Sequence, residues 1–432
     1  MSFPDVMLNK HSGEAHGAFP LETWLLRQLF HAVGKIPIRL AMNDGAEVSP
    51  PGVDPVGKVV VSDFPTLFKL MADPEMAFGE AYADARIELQ GDLAGVLTAI
   101  YEEWERSGSG MYERFTSKCM NWLQDNSLDG SRNNIHRHYD LGNDFYELWL
   151  DPQLVYTCAY FVSPDDTLEE AQKAKLDYVC RKLQLQPGER VVEAGCGWGA
   201  LALHMAENYG VSVRAFNLSH EQIAWAKMQA ASRSLSNRVE FIEDDYRSIT
   251  GKYDAFVSVG MLEHVGAAHY ADFGRIIHRA VGDAGRGLLH FIGRSHKGEF
   301  SRWIRKRIFP GAYVPTLGEA VSVLQPHRFA VLDVENLRLH YVRTLECWLE
   351  RFERVAAQVS AKYDPWFTRA WRLYLAGSIA AFRANTLQLF QITFAGPESK
   401  QISWTRAPLY EGASNPPISR PSDTSTWKLA TS

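Results

Sequence analysis

The chain has 432 residues, 46% hydrophobic and 22% charged, which excludes disorder for most of its length and allows more than one core. Its 45 Lys and Arg against 51 Asp and Glu give a net charge of -6, so there is no general attraction for nucleic acid and an anionic partner needs a local basic patch. The five cysteines, Cys119, Cys158, Cys180, Cys196 and Cys347, form neither a CxxC pair nor a metal-ligand spacing; no metal is expected, a disulfide framework is disfavoured, and a reducing compartment fits best.

In chain order, apolar spacing in LETWLLRQLFHAV predicts a helix over 21–33, NDGAEVSPPGVDPVG is turn-rich, and KVVVSDF reads as a strand. Short helices around a small sheet then make residues 1–105 a compact α/β module without an active-site pattern. Residues 106–134, with SGSG and DNSLDGSRNN, read as a linker. Across 135–396 strands alternate with helical patterns: VVEAG, SVRAFNL, VEFIEDD, DAFVSVG and GLLHFIG. RFAVLDVENLRLHY is a sixth candidate strand and LQLFQITFA a seventh, after a long helical insertion. This alternation predicts an α/β fold with a doubly wound, mostly parallel sheet. Residues 397–432, rich in Pro, Ser and Thr, read as a tail ordered only in part. The N-terminus carries no signal-peptide pattern and no long uncharged apolar run occurs, so the expected location is cytoplasmic, at most docked on a membrane surface.

VVEAGCGWGALALHMAENYG, at 191–210, is a strand running into a glycine turn and a helix. Gly195, Gly197 and Ala200 satisfy the dinucleotide pattern, yet the next strand ends in Phe216, Asn217 and Leu218, without the carboxylate that holds a ribose in NAD sites. No GK[ST] follows for a P-loop. Glu193 beside the turn suits a cation, such as the ammonium and sulfonium of S-adenosylmethionine, better than a phosphate; the competing reading is a carboxylate that caps the next helix. Asp244 and Asp245, ending the third strand, can meet an adenine amino group or equally form a solvated loop.

HYDLGNDFYELWLDPQLVYTCAYF at 138–161, EAGCGWGALALHMAENYGVSV at 193–213, VGMLEHVG at 259–266, LLHFIG at 288–293 and HYVRTLECWLERF at 340–352 together resemble the cyclopropane-fatty-acyl-phospholipid synthase family, the mycolic acid cyclopropane synthases included. The resemblance spans roughly 130–396, with a fainter match in DPEMAFGEAYADARIELQGDL. It implies a class I methyltransferase fold, Rossmann-like, and methyl transfer from S-adenosylmethionine to a cis double bond in an unsaturated phospholipid, closing a cyclopropane ring. It implies bicarbonate as the base, at positions matching Cys158, Glu263, His290, Ile292 and Tyr341: the backbone amides of Cys158 and Ile292 donate to the anion, and the other three side chains orient it. Cofactor contacts carry over to Tyr156, Thr157, Glu193, Gly195, Cys196, Gly197, Gly199, Asn217, Leu218, Gln222, Asp245, Tyr246 and Arg247. Glu193 stands where Asp is usual, Asn217 where Thr is usual, Ala200 where Gly is frequent, and Ser378 where some members carry Cys.

The residues suit that chemistry. An alkene is a poor nucleophile and needs a dry, oriented site. Methylation leaves a cation that aromatic faces stabilise, with Tyr156, Tyr160, Phe161 and Tyr341 as candidate walls. Glu193, Asn217, Asp245, Glu263, His290 and Tyr341 all fall at or past predicted carboxyl ends of strands, the ligand edge of such sheets. SRWIRKRIFPGAY, at 301–313, interleaves four basic residues with apolar ones and is a candidate for anionic headgroups at the inner face of a membrane, a solvated helix face being the equal alternative. WFTRAWRLYLAGSIAAFRANTLQLF lines an acyl pocket or simply packs in the core. By the same resemblance the N-terminal module serves lipid binding or dimerisation, with a homodimer as one arrangement. Two alternatives stay open: an alkene methyltransferase giving a branched or methylene product, and a non-catalytic lipid or S-adenosylmethionine binding protein.

Overall fold

The computed structural model describes residues 20–33, 36–107, 141–298 and 301–410. Two sheets organise them. The larger has seven strands: β5 (Arg190–Ala194), β6 (Ser212–Asn217), β7 (Val239–Glu243), β8 (Ala255–Val259), β9 (Arg286–Gly293), β10 (Ala330–Asn336) and β11 (Gln388–Ala395), in the order β10-β11-β9-β8-β5-β6-β7. Helices cover both faces, so the central strands are continuous apolar runs rather than alternating ones; AFVSV and QLFQITFA are buried at every position. All neighbours are parallel except around β11, antiparallel to both β9 and β10. The order reverses at β5, between β8 and β6, which opens a crevice at the carboxyl edge.

The sixth predicted strand runs too far. It ends at Asn336, whose side-chain oxygen accepts from the Arg338 amide at 3.0 Å, and a helix begins at Arg338 and runs to Lys362. The spacing of Tyr341, Leu345, Trp348 and Phe352, all buried, is helical and gives that helix its inner face. Tyr341 therefore stands in the first turn of a helix, one turn beyond the strand end, and still at the carboxyl edge.

The smaller sheet holds β1 (Ile38–Met42), β2 (Glu47–Val48), β3 (Gly57–Val61) and β4 (Ile87–Gln90) in the order β2-β1-β3-β4. Its helices Pro74–Ala83 and Leu93–Ser107 pack on the helix Pro365–Arg383 of the larger unit, and one buried apolar cluster runs through both. Arg369 ties them: its guanidinium donates to the carbonyls of Tyr82 and Ile87 at 2.6 and 2.9 Å and lies 4.3 Å from the Tyr82 ring centre.

The basic stretch 301–313 belongs to this junction. Arg302 pairs with Asp73 and Glu75, Arg307 with Glu80, and Trp303 is buried. Two of its four cations thus face carboxylates of the N-terminal unit, which corrects the expectation of a free basic surface. The predicted linker lies, past Ser107, outside the described residues, as does the tail past Tyr410; within them, Ala407–Tyr410 packs on the helix Leu168–Lys182. Among the described residues no helix is long and apolar enough to cross a membrane.

Candidate active site

At the end of β5 the chain turns through Gly195, Gly197 and Gly199, with φ of 82°, 53° and 84°. Only glycine adopts these angles without strain. A side chain on Gly199 would strike Phe241 and Ala226, whereas the space over Gly197 is open, so the turn is packed from below and free above. The amides of Gly195 and Cys196 donate to the Phe216 carbonyl at 2.9 and 3.1 Å. Asn217 donates to the Gly197 carbonyl at 3.2 Å and to Gln222 Oε1 at 2.6 Å, while its own oxygen receives the Leu218 amide. Asn217, Leu218 and Gln222 thereby brace the turn.

Glu193 is buried beneath it, with the Ala202 amide of the next helix among the groups that favour its charged form. Its Oε2 has no partner among the described residues. Burial lifts the carboxyl to about 8 against the pull of Lys175. A carboxyl held in that state gains by meeting a cation, so the loop fits the ammonium end of S-adenosylmethionine. Asp245 caps the turn Tyr246–Ser248, accepting from the Arg247 amide at 2.8 Å. The Tyr246 ring packs edge-on against Phe273 in the core.

A second group lines one cavity of about 1360 Å³: Tyr156, Thr157, Cys158, Glu263, His290, Ile292 and Tyr341. Strand β8 stops at Val259, opposite His290, while β9 continues to Gly293. The Ile292 amide thus has no ladder partner on that side, and Glu263 Oε1 accepts from it. This amide, expected to donate to an anion, here donates to Glu263. Glu263 Oε2 is buried without a partner among the described residues, and desolvation raises the carboxyl to about 7.

His290 is positioned by a buried chain. Glu335 pairs with Lys182, whose ammonium donates to Gln391 Oε1 at 2.8 Å. That fixes the Gln391 amide, leaving its nitrogen to face His290 Nδ1 at 3.0 Å. His290 Nδ1 must accept, so the neutral ring carries its proton on Nε2, which has no partner among the described residues. Burial holds its pKa well below the usual value. Cys158 is buried and its thiol is pushed up, so it stays protonated.

The loop bearing Tyr156 and Thr157 is tied from beneath. Asp151 accepts the Gln153 and Val155 amides at 2.9 Å each, Gln172 donates to the Thr157 carbonyl at 2.8 Å, and Lys175 donates to Thr157 Oγ1 at 2.8 Å. Gln172 and Lys175 escaped the sequence reading, although with Leu168, Ala171, Leu176 and Val179 they fall on the buried face of Leu168–Lys182. Polar residues at apolar-face positions were the available signal. Of the expected aromatic walls, Tyr156 and Tyr341 line the cavity; Tyr160 instead stacks between Tyr178 and His340, and Phe161 also lies off it. From Pro365–Arg383, Leu373, Tyr374, Gly377 and Ser378 contribute to the wall, with Tyr374 in hydroxyl contact with Tyr156 at 2.9 Å. The two groups adjoin: Met261 packs against Gly195, and the Gly260 amide donates to the His290 carbonyl at 2.8 Å.

A seven-stranded sheet of this order, with a braced glycine turn at its switch point and an apolar cavity beside it, is that of a class I S-adenosylmethionine-dependent methyltransferase. Within that class the chain belongs to the mycolic acid cyclopropane synthetase family, whose model matches residues 126–392. Residues 25–109 match a second model, described only as a domain of unknown function. A cyclopropane-fatty-acyl-phospholipid synthase of Escherichia coli is 35% identical over 344 residues, 77% of this chain and 86% of that one. A probable fatty acid methyltransferase of Pseudomonas putida is 34% identical over 387 residues, 87% of this chain and 96% of that one. The solved mycolic acid cyclopropane synthase CmaA1, complexed with SAH and CTAB, superposes with a TM-score of 0.59 at 32% identity, covering 61% of this chain and 97% of that one. The protein is an enzyme that uses S-adenosylmethionine to methylate lipid.

Proposed function

We propose that the enzyme converts a cis double bond in a phospholipid acyl chain to a cyclopropane, with bicarbonate held by Glu263, His290 and Tyr341 as the base. S-adenosylmethionine, when bound on the glycine turn, supplies an electrophilic methyl group. The chain's own residues do the rest. Aliphatic and aromatic walls exclude water that would intercept a cation, and the faces of Tyr156 and Tyr341 offer it cation-π stabilisation.

The observation that carries the reading is a pair of buried atoms on one cavity wall that have no partner among the described residues: the acceptor Glu263 Oε2 and the donor Nε2–H of His290. Bicarbonate has one O–H to give and other oxygens to accept, so its donor set complements both. Placing it there also leaves Ile292 N–H and Glu263 bound to each other.

Membrane contact is assigned to a different surface from the 301–313 stretch. Leu21 and Trp24 on one helix and Phe64 and Phe68 on its neighbour stand exposed beside Arg27 and Lys69, a mixture suited to a bilayer interface. The test incubates purified protein with S-adenosylmethionine and unsaturated phospholipid vesicles, in carbonate-free buffer and after bicarbonate is restored. Cyclopropane proton signals that depend on bicarbonate support the reading. A methyl-branched or methylene product supports the second reading, which the fatty acid methyltransferase relative favours.

A further inference from the structure

The cavity that passes Glu263 and His290 does not end in the catalytic sheet. It continues into the N-terminal unit, where Ile38, Leu40, Val59, Val61, Leu70 and Leu97 line it, none more than 6% exposed. The parallel register sets Leu40 beside Val59 and Met42 beside Val61, so alternate residues of β1 and β3 point from one face of the sheet into the space. Ordinary cores leave few voids larger than a water molecule. The cost of an aliphatic void rises with its volume, so a lobe this large needs a reason.

Away from these residues the wall differs in chemistry. Arg294 and Lys297, past β9, contribute to it, with Ser295, His296 and Lys297 exposed, and Glu75 and Glu105 of the N-terminal helices and Arg305, whose helix packs on Pro74–Ala83, also line the cavity. A charged headgroup cannot enter the aliphatic lobe without a large desolvation cost, whereas a methyl terminus gains by doing so. That contrast fixes the direction in which an acyl chain lies.

We infer that the N-terminal unit is the receptacle for the part of the acyl chain beyond the double bond, and that β1 and β3 set the chain lengths accepted. The ester end stays by the cations, the alkene rests against the Glu263–His290 wall, and the methyl end lies on the inner face of the small sheet. The inference rests on the lipid-alkylating reading above and supplies a role for a unit whose own family model carries none.

The full-length enzyme is assayed on phosphatidylglycerol vesicles whose cis-monoenoyl chains share the double-bond position and differ only in the methylenes beyond it. Leu40→Trp and Val59→Phe shorten the lobe and should lower kcat/KM for the longest chain at least about tenfold, with the shortest little changed, since one methylene in an apolar pocket decides about 10- to 200-fold. Leu97→Ala lengthens the lobe and should move the preference toward longer chains. Val60→Phe, on the opposite face of β3, should leave the profile as in wild type. Thermal unfolding shows which variants fold, and the opposed directions of shortening and lengthening keep a poorly folding one from deciding the matter. Folded lobe variants with the wild-type chain-length profile overturn the inference. If the wild type turns over none of these vesicles, the proposed reaction fails instead; binding of a fluorescent polyenoic fatty acid then decides the lobe, with weakening by Leu40→Trp supporting it and no change overturning it.

Discussion

Glu263 has two carboxylate oxygens in different situations, and the substitution Glu263→Gln separates them. One oxygen holds the Ile292 amide and the other is buried without a partner among the described residues. Glutamine keeps the first bond through its amide oxygen and replaces the free acceptor with an N–H₂ donor. If bicarbonate must give its O–H to that acceptor, the bond lost is one to a charged group, about 1.5–3 kcal/mol, and each 1.36 kcal/mol is tenfold in rate. The turnover number should therefore fall about 10- to 150-fold. The KM for S-adenosylmethionine should stay as it is, because Glu193 and the 195–199 turn are untouched. Glu263→Ala goes further: it strands the Ile292 amide and should cost about 1–3 kcal/mol of stability besides. The assay follows methyl-labelled S-adenosylmethionine into vesicle lipid, separating kcat from KM, alongside thermal unfolding. A Glu263→Gln enzyme with wild-type kcat would show that the carboxylate only latches the strand end, and the proposed base site would fall with it.

Three further outcomes follow from the same geometry. Burial holds Glu263 up to about 7 when folded against 4.5 unfolded; the folded state keeps a proton the unfolded chain has lost, so this contribution to stability is present below the unfolded value and lost as pH rises to about 7. Glutamine does not titrate, so wild type should lose stability relative to Glu263→Gln across that interval, and parallel unfolding curves would contradict the assignment. Gln391→Leu removes the donor to His290 Nδ1 and the acceptor for Lys182; kcat should drop at least about tenfold and nitrogen NMR should show the His290 proton no longer confined to Nε2, whereas an unchanged tautomer would deny Gln391 its positioning role. Gly199→Ala should destabilise the fold by its clash with Phe241 and Ala226. Gly197→Ala, in open space, should cost only about 1 kcal/mol but raise the cofactor KM; equal effects of the two on KM would argue against a ligand above Gly197.

The parallel sheet could be read from the sequence because helices on both faces make its strands unbroken apolar runs, as in AFVSV, and glycine marks the turn. The overrun of the sixth strand has the same origin. RLHY alternates apolar and polar residues as a strand does, and only the longer spacing of Tyr341, Leu345, Trp348 and Phe352 reveals the helix. Pairwise orientation is harder to read. Tyr160 and Tyr156 are four residues apart in one loop, yet one lines the cavity and the other stacks away from it. Lys182 and Gln391 reach His290 from separate elements 209 residues apart, and no local pattern announces that meeting. The Arg302 and Arg307 pairings were hidden because their carboxylate partners lie more than two hundred residues earlier.

The unequal lengths of β8 and β9 bear on how this site can change over evolutionary time. The group at position 292 that meets Glu263 belongs to the main chain, and it is left over because the neighbouring strand gives out first. No substitution at 292 short of proline deletes it. Variation there is free to reshape the greasy wall one methyl at a time while the polar contact survives, so product and chain preference can drift without the reaction centre being dismantled.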